Sequence, residues 1–433
     1  MIPFRGLRAL LAGVAILLVS TPSLADGAFP DEFSIHFPPN APSRIVVGAN
    51  FGAMISEDSG ASWRYACEPY VTTGSAVAIS LVNVVYYQVT SDGAFLADTT
   101  IGTLTRSADV GCSWPTSGGS IAGLNVTDVF PSPTDPAFVL AVTVPPTGSG
   151  SSLWASHDGG KTFDTPALYS SNVLITGVEI AKSAPAVIYA TLSGPSLAKL
   201  LRSADSGKTW ATYDLPTLPP PPGQPGAITP QPRLLAIDPD EATVAYLRLS
   251  GPPYDAIAIA SNGGQIVDVA LTISGVFSAF ARTGDKSLYA GTRDGNLYVR
   301  PPQGAFAAPI KGPRFRCLGQ RPGTTDLYAC ADMFLDGFSV GVSHDGGATF
   351  QKVMKISELL GPLACAAVQS ACMDHWDRIR VTFGTDAGSP AADGGGAAPP
   401  PRSGHCASTG TGALASLALI AFALCRKRRR GGL

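Results

Sequence analysis

The chain has 433 residues, 48 of them Gly and 37 Pro, with 45% hydrophobic and 14% charged residues. Ample apolar content with few charges excludes a disordered chain, and a formal net charge of −2 leaves no electrostatic footprint for nucleic acid. Abundant Gly and Pro alongside Val, Thr, Tyr and Phe favour an all-β chain of short strands and tight turns.

Residues 1–25 read as a secretory signal peptide. Arg5 and Arg8 supply the charged start, Ala9 to Val19 the short apolar run, and Ser23-Leu24-Ala25 a small-residue cleavage site. Export permits disulfides. Six cysteines lie in the body of the chain: Cys67, Cys112, Cys317, Cys330, Cys365 and Cys372. The sequence does not fix their connectivity, but local spacing favours one arrangement. Cys317 and Cys330 flank the turn-like Arg321-Pro322-Gly323 and would face each other across a hairpin, while Cys365 and Cys372 enclose a short loop. That leaves Cys67 for Cys112. With no CxxC pair and five His in the whole chain, neither a metal nor another cofactor is expected.

The body of the chain is dominated by self-similarity. SEDSGASW (Ser56 to Trp63) recurs as SADVGCSW (Ser107 to Trp114), SHDGGKTF (Ser156 to Phe163), SADSGKTW (Ser203 to Trp210) and SHDGGATF (Ser343 to Phe350). The shared acids Asp58, Asp109, Asp158 and Asp205 are 51, 49 and 47 residues apart, and Asp345 comes after a gap of 140. That gap has room for two eroded copies, ASNGGQIV around Asn262 and RPPQGAF around Gln303, which makes seven. A second series, one strand ahead of each motif near Val47, Tyr86, Leu140, Tyr189, Tyr246, Tyr289 and Tyr328, gives the same count. Its mean period of about 47 residues is the length of one four-stranded propeller blade. The expected fold is therefore a single seven-bladed β-propeller over residues 26–385, closed by a strand at Ile379 to Thr385.

The motif has a physical logic. An Asp carboxylate accepts hydrogen bonds from its own turn, and Gly supplies positive φ. Trp63, Trp114, Phe163, Trp210 and Phe350 are placed to bury apolar area between blades. Asp58, Asp109, Asp158, Asp205 and Asp345 are thus expected as structural clips on separate blades, not catalytic acids. His157 and His344 precede two of these acids and are expected in exposed turns, and His375 beside Trp376 in packing.

These residues resemble the Asp-box (BNR-repeat) propellers, a group that includes sialidases, sortilin-type receptor domains, xyloglucan-cleaving glycosidases and photosystem assembly factors. The resemblance covers roughly residues 31–375. It implies the fold and selects none of these activities, because one scaffold hosts them all.

Beyond the propeller, residues 386–405 are an Ala, Gly and Pro-rich linker. Residues 406–433 then hold Cys406, an apolar stretch over 407–425 and the cluster Arg426-Lys427-Arg428-Arg429-Arg430. As a helix that stretch is about 28 Å long, enough to cross a bilayer with the basic end cytoplasmic. The tail resembles the MYXO-CTERM sorting signal of myxobacterial exported proteins. That resemblance implies a sorting protease as a partner, Cys406 as the processing and lipid-attachment position, and display at the cell surface or release from it.

For function, the sequence favours a monomeric, non-enzymatic binding or scaffolding propeller with a protein or glycan ligand on one face. The Pro-rich insertion Leu215 to Arg233 is a candidate rim of that face. The alternative is an extracellular glycoside hydrolase of the sialidase or xyloglucanase type, which needs paired carboxylates. Arg64, Arg248, Arg282, Arg293 and Arg316 are available as clamps. However, Ser43-Arg44-Ile45-Val46 departs from the sialidase Arg-Ile-Pro pattern, and Glu57, Glu68, Glu179, Glu241 and Glu358 are expected in turns or at blade edges.

Overall fold

The structure, a computed structural model, describes residues 32–73, 85–99, 102–147, 149–220, 223 and 225–383. The expected signal peptide, and the linker, Cys406 and apolar stretch of the tail, lie outside the described residues. Among the described residues no helix is long and apolar enough to cross a membrane.

Seven antiparallel sheets succeed one another along the chain as the blades of a propeller, each built from strands consecutive in sequence. Blade 1 contains Glu32–His36, Ile45–Ala49, Gly52–Ser56 and Arg64–Cys67. Blades 3 to 7 repeat that four-stranded order over 125–170, 174–214, 231–274, 277–311 and 317–354. Blade 2 (Val85–Val89, Phe95–Thr99, Thr105–Ser107) has three regular strands, and a bridge from Thr105 to Thr116 stands in for the fourth. First strands pack on first strands around the ring, so Glu32–His36 meets both Val85–Val89 and Cys317–Gln320.

Second strands are covered on both faces by neighbouring blades. IVVGA, LYAGT and LYAC are buried at every position, which explains why they read as continuous apolar runs instead of alternating ones. One member of the second series needs correction. Tyr86 belongs to the first strand of blade 2, and the true second strand is Phe95–Thr99. The run LVNVVYYQV mimics a second strand because its aromatics pack at the heart of the ring, where Tyr87 is 2% exposed.

The five Ser-x-Asp-x-Gly segments form identical turns between third and fourth strands. In the first, the Ser56 hydroxyl donates to Asp58 Oδ1 (2.8 Å), the Gly60 N–H donates to Ser56 Oγ (2.8 Å), and the Ser62 N–H and hydroxyl donate to the two Asp58 oxygens (2.9 and 2.6 Å). Asp109, Asp158, Asp205 and Asp345 accept the same pair of bonds from Ser113, Thr162, Thr209 and Thr349. The hydroxyl and backbone N–H of Thr209 hold Asp205 down at about 2, and those of Thr349 do the same for Asp345. The last glycine of the turn has positive φ in every copy, for example +96° at Gly60 and +91° at Gly347. Trp63, Trp114 and Phe163 are buried, whereas Trp210 and Phe350 are half-buried. Asn262 and Gln303 lie in the corresponding turns of blades 5 and 6, with Asn262 at φ 50°. His157 and His344 are exposed there, the first stacked on Phe138 and the second bonded to Asp326 (2.7 Å).

The ring does not close by a strand at Ile379 to Thr385. Residues Ala366–Phe383 are a helix, with Val368, Cys372, Trp376 and Ile379 buried along one side at helical spacing. Ahead of the helix, the chain runs along the outer strand of blade 1. Leu360 and Leu363 donate backbone hydrogen bonds to Trp63 and Tyr65, and Tyr65 pairs in parallel with Pro362. The same device joins blades 2 and 3, where Gly118–Gly119 pairs in parallel with Thr162–Phe163.

All six body cysteines are bonded. Cys317–Cys330 spans the expected hairpin, but the other pairs are Cys67–Cys372 and Cys112–Cys365, with sequence separations of 305 and 253. The expected Cys67–Cys112 and Cys365–Cys372 pairs do not form. Cys365 lies just before the helix and Cys372 in its middle, and each is bonded to a different blade, Cys365 to Cys112 of blade 2 and Cys372 to Cys67 of blade 1.

Candidate functional site

The Asp turns and the inter-blade connections occupy opposite ends of the blades. Third-to-fourth turns bond to first-to-second turns of the same blade: Ser59 N–H to Ser43 O (2.7 Å), Gly159 N–H to Ala137 O (2.8 Å), Ser206 N–H to Ala186 O (2.9 Å). At the other end lies a cleft of about 470 Å³. It is lined where first strands begin (Leu174, Thr176, Gln231, Arg233) and second strands finish (Val144, Ser250), with Tyr86 and Thr127 alongside. The Pro-rich insertion runs from the outer strand of blade 4 to Gln231–Ile237, so its final residues form part of this rim.

Arg233 is the central feature. It leaves the first strand of blade 5, crosses the channel and meets blades 2 and 3. Its guanidinium carbon lies 5.3 Å from the Tyr86 ring centroid, a cation–π contact, and Nη2 lies 3.6 Å from Asp128 Oδ1. That separation is an ion pair without a hydrogen bond. Among the described residues the guanidinium donates no hydrogen bond at all, and 42% of the side-chain surface stays open to the channel. Arg248, also on the cleft, is occupied: it makes a bidentate pair with Asp255 (3.1 and 2.7 Å) and covers Phe277.

Carboxylates lie beneath Arg233 and off the cleft wall. Asp128 Oδ2 accepts from Val178 N–H of blade 4 (2.9 Å), and Glu179 Oε2 accepts from Ile237 N–H of blade 5 (2.8 Å), so each ties its blade to the next. Asp98 is 1% exposed, and neither oxygen has a well-formed hydrogen bond. Burial pushes all three upward, Glu179 to about 8 and Asp98 well above the carboxylate range, with the negative charge of Asp128 adding to both. Arg233 opposes the rise in each case. At neutral pH Glu179 therefore carries a proton.

Glu179 is thus not at a turn or blade edge as expected, but the penultimate residue of the inner strand Leu174–Ile180, and Glu68 is buried at the start of the helix Glu68–Thr73. Glu57, Glu241 and Glu358 do lie outside the strands. The candidate arginines do not converge. Arg64 donates to Pro362 O, Arg282 is locked by Asp238 and Asp240, and Arg316 faces Asp332, each in a different blade. Arg293 comes directly after the second strand of blade 6. The residue missed was Arg233, which the sequence marked only as the end of the insertion. The signal was a charge inside the first strand of successive repeats: NVTDVFP, LITGVEI and QPRLLAI.

No protein-family model and no curated protein matches the chain. Solved structures do. Hydrazine synthase from Kuenenia stuttgartiensis aligns over 76% of this chain and 99% of its own, at 12% identity and a TM-score of 0.50. YCF48 from Cyanidioschyzon merolae aligns over 69% and 92%, at 12% identity and 0.48. The GH74 xyloglucanase from Xanthomonas campestris aligns over 76% at 13% identity and 0.37, and the chain spans 65% of that enzyme's length. At these identities the likeness concerns fold alone, and the chain is a seven-bladed β-propeller.

Proposed function

We propose that the chain is an exported, surface-displayed binding propeller that takes its protein or glycan ligand in the cleft at the channel mouth. The observation that carries this reading is Arg233, a deep cation with unused donors above a roomy, largely apolar cleft. Ligand sites characteristically combine an apolar wall with a few convergent polar groups. Tyr169, Leu174 and Val276 add exposed apolar surface at the same end of the blades. Arrays of glycans and peptides probed with the wild type and with Ser250→Trp, which fills the cleft, test the reading. Ligands retained by the wild type and lost by the variant support it; identical profiles sink it. The tail supports display, and Cys406→Ser should leave the protein full length in membranes.

One observation favours a second reading, a glycoside hydrolase. Asp128 is close enough for its charge to raise Glu179, and Glu179 holds a proton at neutral pH, as a general acid must. Against it, neither lines the cleft and both are engaged by backbone N–H groups. Turnover of fluorogenic glycosides, abolished by Glu179→Gln, would reverse the order of the two readings.

A further inference from the structure

We propose that the cleft recognises a carboxylate on its ligand, gripped by the Arg233 guanidinium, and that the carboxyl groups beneath Arg233 make this grip proton-dependent. The inference rests on the cleft reading above and adds the chemistry of the ligand.

A guanidinium has five N–H donors in a fork that matches a carboxylate in bidentate fashion. Arg233 uses none of them on a protein acceptor among the described residues, and its side chain stays partly open to the channel, so these donors are available to a ligand. Its one ion-pair partner, Asp128, stands at 3.6 Å and spends its other oxygen on the Val178 N–H. Tyr86 covers one face of the guanidinium and leaves its edge to the cleft, where Thr127 and Thr176 also lie.

Charge then decides which ligand enters. The groups facing Arg233 are Asp128 of blade 3, Tyr86 and Asp98 of blade 2 and Glu179 of blade 4. With Glu179 protonated, one fewer negative charge among these groups opposes Arg233. An incoming carboxylate then finds a cation that is incompletely satisfied. Ionisation of Glu179 near pH 8 adds a negative charge within electrostatic reach of the same guanidinium. The ligand carboxylate is charged throughout, so affinity must fall as pH rises through that value. Arg248 does not reverse this trend, because Asp255 neutralises it.

A carboxylate has two common sources, a uronic acid and a peptide C-terminus. The full chain is titrated calorimetrically with glucuronate against glucose, and with N-acetyl-trialanine against its C-terminal amide, at pH 6.5 and pH 9. The expected result is binding of at least one acid, loss of binding for its neutral counterpart, and affinity about tenfold weaker at pH 9. Glu179→Gln, which keeps the acceptor for Ile237 N–H, should bind equally at both pH values. Arg233→Gln should abolish binding. Because that variant removes the counter-ion of Asp128, the pH comparison on the wild type and Glu179→Gln stands without it. Equal binding of acid and neutral partner, both blocked by Ser250→Trp, overturns the carboxylate inference and leaves the cleft reading intact. Binding that Ser250→Trp leaves untouched overturns both. Acid-selective binding with no pH dependence in the wild type overturns the proton linkage.

Discussion

Cys67, at the end of the outer strand of blade 1, is bonded to Cys372 in the middle of the C-terminal helix, with a Cα–Cα distance of 5.5 Å across 305 residues of sequence. Among the described residues the first and last blades share no strand: their sheets are built from Glu32–Cys67 and Cys317–Met354 respectively. The joint is made instead by packing of Phe37 on Tyr328 (5.1 Å), by bonds from Arg321 to Pro42 O and Ser59 Oγ (2.6 and 2.9 Å), and by the segment 360–383. Two disulfides lock that segment. In the chain-entropy model a crosslink over so long a loop restricts the unfolded state by about 5 kcal/mol. Cys372→Ser with Cys67→Ser should lower the unfolding midpoint in denaturant markedly. Limited proteolysis should then release the C-terminal segment first. Unchanged stability and protection would show that packing alone closes the ring.

The Asp turns act at a smaller scale. Asp109 gathers the Ser107 and Ser113 hydroxyls and the Ser113 N–H, and the same turn presents Trp114, 1% exposed, between the Tyr87 and Phe95 rings. Asp109→Ala should cost about 1–3 kcal/mol by stranding these donors, and Trp114→Ala about 3–5 kcal/mol by leaving a cavity. The two sites share one turn, so the double variant should cost less than the sum of the singles. Additive effects in chemical denaturation would mean that the Asp does not position the Trp.

How far the sequence discloses this architecture depends on the range of the interaction. Asp58, Gly60, Ser62 and Trp63 interact within eight residues, so the turns and their number were readable. The helix Ala366–Phe383 was readable in principle, because Val368, Cys372 and Trp376 recur every four residues, but Ile379-Arg380-Val381 alternates like a strand. The crossed disulfides were not. Their geometry is set by closing a ring of seven blades, and local spacing favours pairs that the closed ring keeps apart. Arg233 was hidden for the same reason: its partners Tyr86 and Asp128 lie three and two blades away, and only the closed channel brings them together.

A buried cation elsewhere in the ring offers a sharper test of packing electrostatics. Arg282 (5% side-chain exposure) bonds Asp238 at 3.1 Å through both Nε and Nη2, while the Tyr246 hydroxyl donates to the same carboxylate (2.8 Å). Removing the cation alone leaves Asp238 buried and uncompensated, so Arg282→Met should destabilise by about 3–5 kcal/mol. Arg282→Met with Asp238→Asn should recover much of that loss. A double variant as unstable as the single one would assign the cost to lost packing of the arginine stem.

Glu179 sets the pH dependence of the ring itself. Its carboxyl titrates near 4.5 in an unfolded chain and about 8 in the folded one, chiefly because burial penalises the charged form. The folded state therefore binds this proton more tightly. Its contribution is complete below pH 4.5 and fades as pH rises, at up to about 1.4 kcal/mol per pH unit, until the folded group ionises near pH 8. Asp98 and Asp128, also raised, act in the same direction. The clip carboxylates act in the opposite one, since Asp158, Asp205 and Asp345 are held at about 2 and lose their contribution only as pH falls toward that value. Stability should thus peak in mildly acidic solution and decline toward pH 8. Glu179→Gln, permanently neutral and still an acceptor for the Ile237 N–H, should flatten that decline. Urea unfolding at pH 5 and pH 8 decides the matter: parallel losses in wild type and variant would mean that the Glu179 proton is not held by folding.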